Sequence, residues 1–234
     1  MPRFDALLID MDRTLFDFDG AEATALAAAC EECALRYSDG VLAHYREINR
    51  EVWRRYDNRE ISRAELNVER FGRLLKAVGG ASDPAVFGGL YLKKLSSEGT
   101  LLPGALELMR DVCARMPVVI ITNGDDDTQR GRLDASLMAS LACSMVASDE
   151  VGAAKPDPLM IREGMRLVGI TDVSRVIMVG DSLNDDIGAA KAAGVVSCWL
   201  NPGRKPAPDD LKPDYEIRSL PELREILGLN LYNG

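Results

Sequence analysis

Four short apolar runs, each ending in polar residues, constrain the fold of this 234-residue chain more than any other feature of its sequence. The runs are ALLID (6–10), VVIIT (118–122), RVIMVGD (175–181) and VSCWLN (196–201). Helical stretches such as GALELMRDVCARM and DPLMIREGMRLVG lie between them, and Gly or Pro marks the ends of these stretches. Continuous apolar strands that alternate with helices are typical of a parallel sheet covered on both faces. The sequence therefore predicts an α/β fold with a three-layer parallel-sheet core.

One long segment breaks this alternation. From about Phe16 to about Thr100 the pattern is helical throughout and contains no convincing strand. An all-helical block inserted after the first strand is typical of a second, smaller domain. We therefore predict a core made of residues 1–15 and 101–234, and an inserted all-helical domain, called the cap, made of residues 16–100.

The charge of the chain limits the partners that it is expected to bind. It has 28 Lys and Arg residues against 37 Asp and Glu residues, which gives a formal net charge of -9 at pH 7. Nucleic-acid backbones and anionic membranes favour surfaces dense in Lys and Arg, so we expect neither a nucleic-acid polymer nor a membrane as partner. A small molecule is the expected partner.

Hydropathy and cysteine content predict a cytoplasmic protein. No apolar run approaches the roughly 20 residues that span a bilayer, and the N-terminus reaches Asp10 and Asp12 too early for a signal peptide. The five cysteines are odd in number and scattered, which favours reduced thiols over a disulfide framework. Cys30 and Cys33 form a C-x-x-C pair in a helical stretch, where helix thiols are favoured over a metal or redox site.

Carboxylates at the end of the first run are candidate functional residues, because active sites of parallel sheets lie at the carboxyl ends of the strands. The run ends in Asp10-Met11-Asp12, which places two carboxylates two residues apart on the same side of the strand. Two like charges this close require a metal ion, a shared proton or open water.

The later runs add hydrogen-bond donors and further carboxylates. Thr122-Asn123-Gly124 offers a hydroxyl and backbone N–H groups where a loop enters a helix, which is a common anion-binding arrangement. Lys155 precedes a helix start, and Asp181 is followed closely by Asp185 and Asp186. Carboxylates for a hard cation beside donors for an anion favour a Mg²⁺ ion that bridges the protein and a phosphate.

Each of these residues also has a purely structural interpretation. An Asp before a helix is often an N-cap, the Thr122-Asn123-Gly124 segment has the composition of a turn, and Lys155 fits a surface charge. Their joint position at successive strand ends favours the functional interpretation.

Taken in order, these motifs resemble the four motifs of the haloacid dehalogenase-like hydrolase superfamily, with a helical cap inserted after the first motif. The resemblance covers essentially the whole chain and implies a Rossmann-like core. It implies that Asp10 is the nucleophile that takes the phosphoryl group as an aspartyl phosphate. Asp12 would protonate the leaving oxygen and then activate water. Thr122 and Lys155 would hold the phosphoryl oxygens, and Asn123 is assigned with them to substrate binding.

The resemblance also implies the ligands of the Mg²⁺ cofactor. They would be Asp10, the main-chain carbonyl of Asp12, Asp181 and the later acidic residue of the fourth motif. Both Asp185 and Asp186 fit this last position, and the spacing to the following Ile-Gly-Ala-Ala favours Asp186.

The presence of Asp12 favours phosphate-ester hydrolysis over dehalogenation. Family dehalogenases lack this second carboxylate, since a halide leaving group needs no proton. Many members have Gly where this chain has Arg13, but that position varies, so the chemistry is unaffected and Arg13 is left as a residue that could reach the substrate.

The expected substrate is a small phosphorylated metabolite. The segment 15–19, with Gln129-Arg130 and Leu133 after the second motif, resembles the nucleotidase-like branch that hydrolyses nucleoside 5'-monophosphates. Sugar-phosphate and phosphoglycolate phosphatases share much of this pattern, so they stay as alternatives, together with a phosphomutase and, last, a haloacid dehalogenase.

Arginines of the cap leave two interpretations open. Arg46, Arg50 and Arg54 are spaced four apart on one helical face, which fits either a surface for the substrate or a solvated face. The frequency of charged helix faces favours the solvated one, with Glu51 paired to Arg54 or Arg55. The sequence is compatible with a monomer or a homodimer.

Overall fold

The computed structural model describes residues 3–229, and six parallel strands form one sheet in this part of the chain. The strands are β1 (Ala6–Asp10), β2 (Val118–Thr122), β3 (Cys143–Ala147), β4 (Val176–Gly180), β5 (Val196–Leu200) and β6 (Tyr215–Ile217). Their order in the sheet is β3-β2-β1-β4-β5-β6, and every neighbouring pair is parallel. The predicted parallel-sheet α/β fold is confirmed.

Ten α-helices lie between or after these strands in the described residues. They are α1 (Phe18–Glu32), α2 (Asp39–Asp57), α3 (Arg63–Val78), α4 (Pro84–Leu95), α5 (Ala105–Cys113), α6 (Asp126–Asp134), α7 (Ser148–Val151), α8 (Leu159–Val168), α9 (Gly188–Ala193) and α10 (Leu223–Ile226). A one-turn π-helix, Leu183–Ile187, leads directly into α9. Among residues 3–229, no helix combines the length and apolar character that a membrane crossing needs.

The central strand β1 is buried on both faces of the sheet. Leu7 and Ile9 pack into a hydrophobic cluster that contains residues of α5 and α10. Ala6 and Leu8 point to the opposite face and pack into a second cluster with residues of α8 and α9. Because successive residues of a strand face opposite sides, helices on both faces require the continuous apolar runs seen in the sequence.

Two strands of the sheet escape the sequence analysis. The edge strand β3 begins with Cys143 and Ser144, which are partly or fully exposed, so its sequence lacks a continuous apolar run. The other edge strand, β6, has only three residues and includes the exposed Glu216. Edge strands are covered on fewer sides than central ones, so their sequences carry a weaker hydrophobic signal.

The contacts within the chain divide it into two units. One unit runs to Phe18 and resumes at Gly99, and the other is Asp19–Glu98. Phe16, which the sequence analysis assigned to the cap, makes backbone bridges with Asp12 and Leu101 and is buried in a cluster of the sheet-containing unit. The first turn after β1 therefore belongs to that unit.

The Asp19–Glu98 unit has its own aromatic core. The rings of Tyr45, Phe71, Phe87 and Tyr91 contact one another with centroids 5.1–5.7 Å apart. Such ring pairs add to the stabilisation from buried area. Helices α2, α3 and α4 converge on this core.

Ion pairs also link the helices of this unit. Glu51 of α2 accepts a hydrogen bond of 2.5 Å from Arg73 of α3, and Arg55 of α2 pairs with Glu69 of α3. Arg46 donates to the buried Glu22 of α1 at 2.6 Å. The cap charges thus connect neighbouring helices, whereas the sequence analysis expected Glu51 to pair within α2.

Candidate active site

The strand order brings the ends of three apolar runs together. Asp10 ends β1, Thr122 ends β2, and Asp181 follows the last residue of β4. Because β1 lies between β2 and β4, these residues lie side by side at the carboxyl edge of the sheet. This edge is where parallel sheets place their ligands.

Lys155 is the centre of the hydrogen-bond network at this edge. Its side chain is 3% exposed, and its Nζ donates to Asp10 Oδ1 at 2.5 Å, to Asp186 Oδ1 at 2.7 Å and to the carbonyl oxygen of Ile121 at 2.8 Å. An ammonium has three N–H donors, and all three have partners here. The structure therefore excludes the interpretation of Lys155 as a surface charge.

Three carboxylates gather around this lysine. Asp10, Asp181 and Asp186 each place one oxygen within 4.8 Å of the other two. When all are ionised, their three negative charges exceed the one positive charge of Lys155 by two. A divalent cation with a preference for oxygen ligands fits this charge and this donor set. The residues present therefore suit Mg²⁺.

The pKa values of these groups reflect the same crowding. Burial raises the pKa of Asp10 well above its usual range, with Lys155 opposing the rise and Asp186 adding to it. Burial, with the neighbouring Asp186, also raises the pKa of Asp181 to about 6. Burial acts to lower the pKa of Lys155, but Asp10 and Asp186 more than offset it and raise that pKa. Lys155 is thus held as a cation beside carboxylates that are costly to ionise without further positive charge.

Asp186 owes its position to the sharp turn after β4. Its Oδ2 accepts from the backbone N–H of Ser182 at 2.9 Å. A Cβ atom on Gly180 would lie 2.1 Å from the same oxygen, so only glycine fits at the end of β4. Asp185 instead accepts from the Ser182 hydroxyl at 3.0 Å and lies outside the three-carboxylate group. Of the two candidates for the fourth motif, the structure places Asp186 beside Asp10.

The Asn123 side chain binds the backbone of Lys155. Asn123 Oδ1 accepts from the Lys155 N–H at 2.8 Å, and Asn123 Nδ2 donates to the Lys155 carbonyl at 3.0 Å. This pair of bonds fixes the loop that carries the lysine. The Asn123 amide is engaged with Lys155, and the contact of Asn123 with substrate stays a prediction.

We expect Asn123→Ala to lower kcat/KM by about 10- to 100-fold, because a displaced Lys155 no longer meets the reacting groups in the required geometry. Loss of the two hydrogen bonds is expected to lower the free energy of unfolding by about 1–2 kcal/mol. Steady-state kinetics and urea unfolding measure the two effects. Asn58→Ala, at an exposed helix end, is the matched control. Unchanged kinetics in Asn123→Ala would contradict a role for these two hydrogen bonds in positioning Lys155.

Thr122 and Asp12 are joined through a third residue, Gln129. Gln129 Nε2 donates to Asp12 Oδ2 and to Thr122 Oγ1, both at 2.8 Å. Thr122 Oγ1 also accepts from the Gly124 N–H at 3.1 Å. The other oxygen of Asp12, Oδ1, pairs with Arg132. The Asp12 carboxylate thus contacts α6, while its predicted metal contact involves the main chain.

Sequence reasoning noticed Gln129 only as a mark of one family branch and missed Arg132. Both lie on α6, three residues apart, which places them on one helical face. The available signal was this spacing of two long polar residues after Thr122. The composition of α6 hides this signal. The helix carries three acidic residues and has a fourth as its N-cap, which is typical of a solvated helix: Asp126, Asp127 and Asp134, with Asp125 as the cap.

Comparisons with known proteins show which sequences and structures this chain is similar to. The family model described as haloacid dehalogenase-like hydrolase matches residues 4–194. The chain is 32% identical over 229 residues to the HAD-hydrolase YfnB of Bacillus subtilis, covering 98% of this chain and 97% of that protein. A crystal structure of YfnB bound to magnesium has a TM-score of 0.87 and 33% identity to this chain, and the match covers 96% of this chain and 99% of that one.

Two further relatives carry an enzymatic name. The pyrimidine 5'-nucleotidase YjjG of Escherichia coli is 29% identical to this chain, over 96% of this chain and 98% of that protein. The pyrimidine 5'-nucleotidase PynA of Streptococcus pneumoniae is 30% identical, over 96% of this chain and 95% of that protein.

Proposed function

This chain belongs to the haloacid dehalogenase-like hydrolases, and we propose that it is a Mg²⁺-dependent phosphatase that hydrolyses small phosphate monoesters through a phosphorylated Asp10. One observation carries the proposal: a buried lysine joins Asp10 to Asp186 at the carboxyl edge of the sheet, and Asp181 places an oxygen within 4.8 Å of both carboxylates. The second carboxylate of the first motif, Asp12, lies next to this group and meets the need of an alkoxide leaving group for a proton.

The reaction proceeds in two steps on the residues described. An Asp10 oxygen attacks phosphorus, the bond from phosphorus to the ester oxygen breaks, and Asp12 gives its proton to that leaving oxygen. Water then attacks the phosphorus of phospho-Asp10, Asp12 takes a proton from this water, and inorganic phosphate leaves with Asp10 restored. Thr122 would bind a phosphoryl oxygen, and Lys155 would bind another in exchange for one of its three present hydrogen-bond partners. The positive charge of Lys155 offsets the negative charge of these oxygens.

Mg²⁺ would be held by the carboxylates of Asp10, Asp181 and Asp186, with the main-chain carbonyl of Asp12 as the further ligand implied by the family. When bound, it supplies positive charge that lets an anionic nucleophile approach an anionic phosphate. Support for this assignment comes from the excess negative charge at the site and from the magnesium-bound structure of YfnB.

Nucleoside 5'-monophosphates are the proposed substrate class. The support is the full-length similarity to two proteins named pyrimidine 5'-nucleotidases, YjjG and PynA. Phosphoglycolate is the next candidate, because phosphoglycolate phosphatases match about half of this chain, at 33% identity over 56% of it in one case. Sugar phosphates stay as a further alternative on the resemblance of the sequence motifs.

The experiment that tests the proposal measures free phosphate released from nucleoside monophosphates, sugar phosphates and phosphoglycolate, with Mg²⁺ and with a chelator. We expect release that needs Mg²⁺ and is fastest on a nucleoside 5'-monophosphate. Release that persists in chelator would overturn the metal assignment. Conversion of a sugar phosphate without free phosphate would indicate a phosphomutase, and chloride release from a 2-haloacid would indicate a dehalogenase.

A further inference from the structure

The Asp12 carboxylate is held at both oxygens by residues of one helix, α6. Gln129 Nε2 donates to Oδ2 at 2.8 Å, and Arg132 Nη1 pairs with Oδ1. The Gln129 and Arg132 side chains are themselves joined, since Arg132 Nη1 also donates to Gln129 Oε1 at 3.1 Å. We call Gln129 and Arg132 the α6 clamp. Contacts at both oxygens fix the position of the carboxylate and the rotation of its plane.

Arg132 is buried to a degree that is unusual for arginine. Its side chain is 0% exposed, and its guanidinium lies 5.3 Å from the ring centroid of Phe16 and 5.7 Å from that of Phe18. Burying a guanidinium costs free energy that only a strong partner offsets, and arginines on the surface of a helix avoid this cost. Asp12 pairs with it, so the fold places a buried cation against the Asp12 carboxylate.

Gly124 makes room for the other half of the clamp. A Cβ atom on Gly124 would lie 2.6 Å from Gln129 Nε2 and 2.7 Å from two further atoms of that side chain. Gln129 therefore packs directly on the backbone after Thr122, and its Nε2 reaches Thr122 Oγ1 at 2.8 Å. The amide of Gln129 thus fixes the position of Asp12, the proposed proton-transfer residue, relative to Thr122, a proposed phosphate-binding residue.

We propose that Gln129 and Arg132 are positioning residues that orient Asp12 for proton transfer to the leaving oxygen of the substrate. The inference rests on the proposed phosphatase function and adds two residues to it. The clamp uses one of the two lone-pair directions of each Asp12 oxygen. The other direction on one oxygen can therefore carry the proton that Asp12 gives to the leaving oxygen and later takes from water. With the clamp removed, Asp12 rotates freely and meets the leaving oxygen in only a fraction of its orientations.

The test compares two kinds of ester in clamp variants. Arg132→Met keeps much of the side-chain volume and removes its pairing with Asp12, and Gln129→Met does the same for the other contact. A nucleoside or sugar phosphate leaves as an alkoxide that needs a proton, whereas p-nitrophenyl phosphate leaves as a stabilised anion. The ratio kcat/KM reports only steps up to the transfer of phosphate to Asp10, so it isolates the first proton transfer.

For Arg132→Met we expect kcat/KM on the alkyl ester to fall by about 30- to 100-fold, through kcat with little change in KM. On p-nitrophenyl phosphate we expect a loss of less than about threefold. Arg130→Met is the matched control, because Arg130 lies on the same helix and pairs with Asp126 and Glu150 away from Asp12. Gln129→Met should show the same selective loss, which keeps the test informative if Arg132→Met fails to fold.

Equal losses on the two esters, or losses confined to KM, would overturn the inference, because a merely structural role affects both substrates alike. Kinetics like those of the wild type in both variants would overturn it as well. When the wild type accepts only the alkyl ester, the split between kcat and KM decides the question. A wild-type chain that releases phosphate from neither ester would instead overturn the proposed phosphatase function, and the clamp proposal with it.

Discussion

Asp10→Asn is expected to abolish phosphate release, with a fall in kcat of at least about 10⁴-fold, because it removes the nucleophile and leaves no substitute for it. The exchange nearly preserves side-chain volume, and the amide oxygen can still accept the hydrogen bond from Lys155 Nζ that Asp10 Oδ1 accepts at 2.5 Å. The measurement is release of inorganic phosphate from the best substrate of the wild type, at saturating Mg²⁺.

The fold of this variant is the control for that result. Burial raises the pKa of Asp10, which means that its ionised form is disfavoured in the folded chain. We therefore expect Asp10→Asn to match or exceed the Tm of the wild type in metal-free buffer. Near-native hydrolysis by a well-folded Asp10→Asn preparation would exclude Asp10 as the nucleophile, while a lower Tm in metal-free buffer would contradict the electrostatic account of the site.

The fold was largely predictable from sequence because its central strands are buried on both faces. All five residues of β1, β2 and β4 are buried, which requires the continuous apolar runs that identified these strands. Edge strands lack this requirement, and β3 and β6 were missed for that reason. The helical character of the segment after β1 was also evident. The sequence analysis began the cap at Phe16, whereas the contacts within the chain divide it after Phe18, because an apolar residue such as Phe16 fits the core of either unit.

Some residues of the candidate site were predictable from sequence and others were not. Residues at the ends of recognisable strands, such as Asp10 and Thr122, could be placed from the order of the runs alone. The sequence could not show that Lys155 has three partners, since its loop position depends on the amide of Asn123. The role of Arg132 could not be predicted from sequence for another reason: an arginine among acidic residues on a short helix resembles a surface residue. Only the tertiary structure shows that it is buried.

The structure also shows how the charges of the site depend on one another. Asp10 and Asp186 meet through Lys155, and Asp12 is compensated separately by Arg132 of α6. Each of these two buried cations thus pairs with carboxylates from distant parts of the sequence, Lys155 with two and Arg132 with one. Removing a cation leaves its carboxylates without compensation, whereas removing one carboxylate leaves fewer like charges in contact.

Lys155→Met is expected to show this dependence most clearly. The variant leaves the carboxylates of Asp10 and Asp186 buried and unpaired, which we expect to lower the free energy of unfolding by about 3–5 kcal/mol in metal-free buffer. Turnover should fall by at least about 10²-fold, because the group that offsets charge on the phosphoryl oxygens is absent. Chemical unfolding and phosphate release measure the two effects, with Lys191→Met at an exposed position of α9 as control.

Two additions distinguish lost charge compensation from lost packing. The double variant Lys155→Met/Asp186→Asn removes one of the unpaired carboxylates, so we expect it to be more stable than Lys155→Met by about 1–3 kcal/mol. Mg²⁺ should raise the Tm of Lys155→Met, because a cation that binds only the folded chain stabilises it and here replaces part of the lost positive charge. If neither the second substitution nor Mg²⁺ restores stability, Lys155 stabilises the fold through packing, and the electrostatic basis of the site would have to be abandoned.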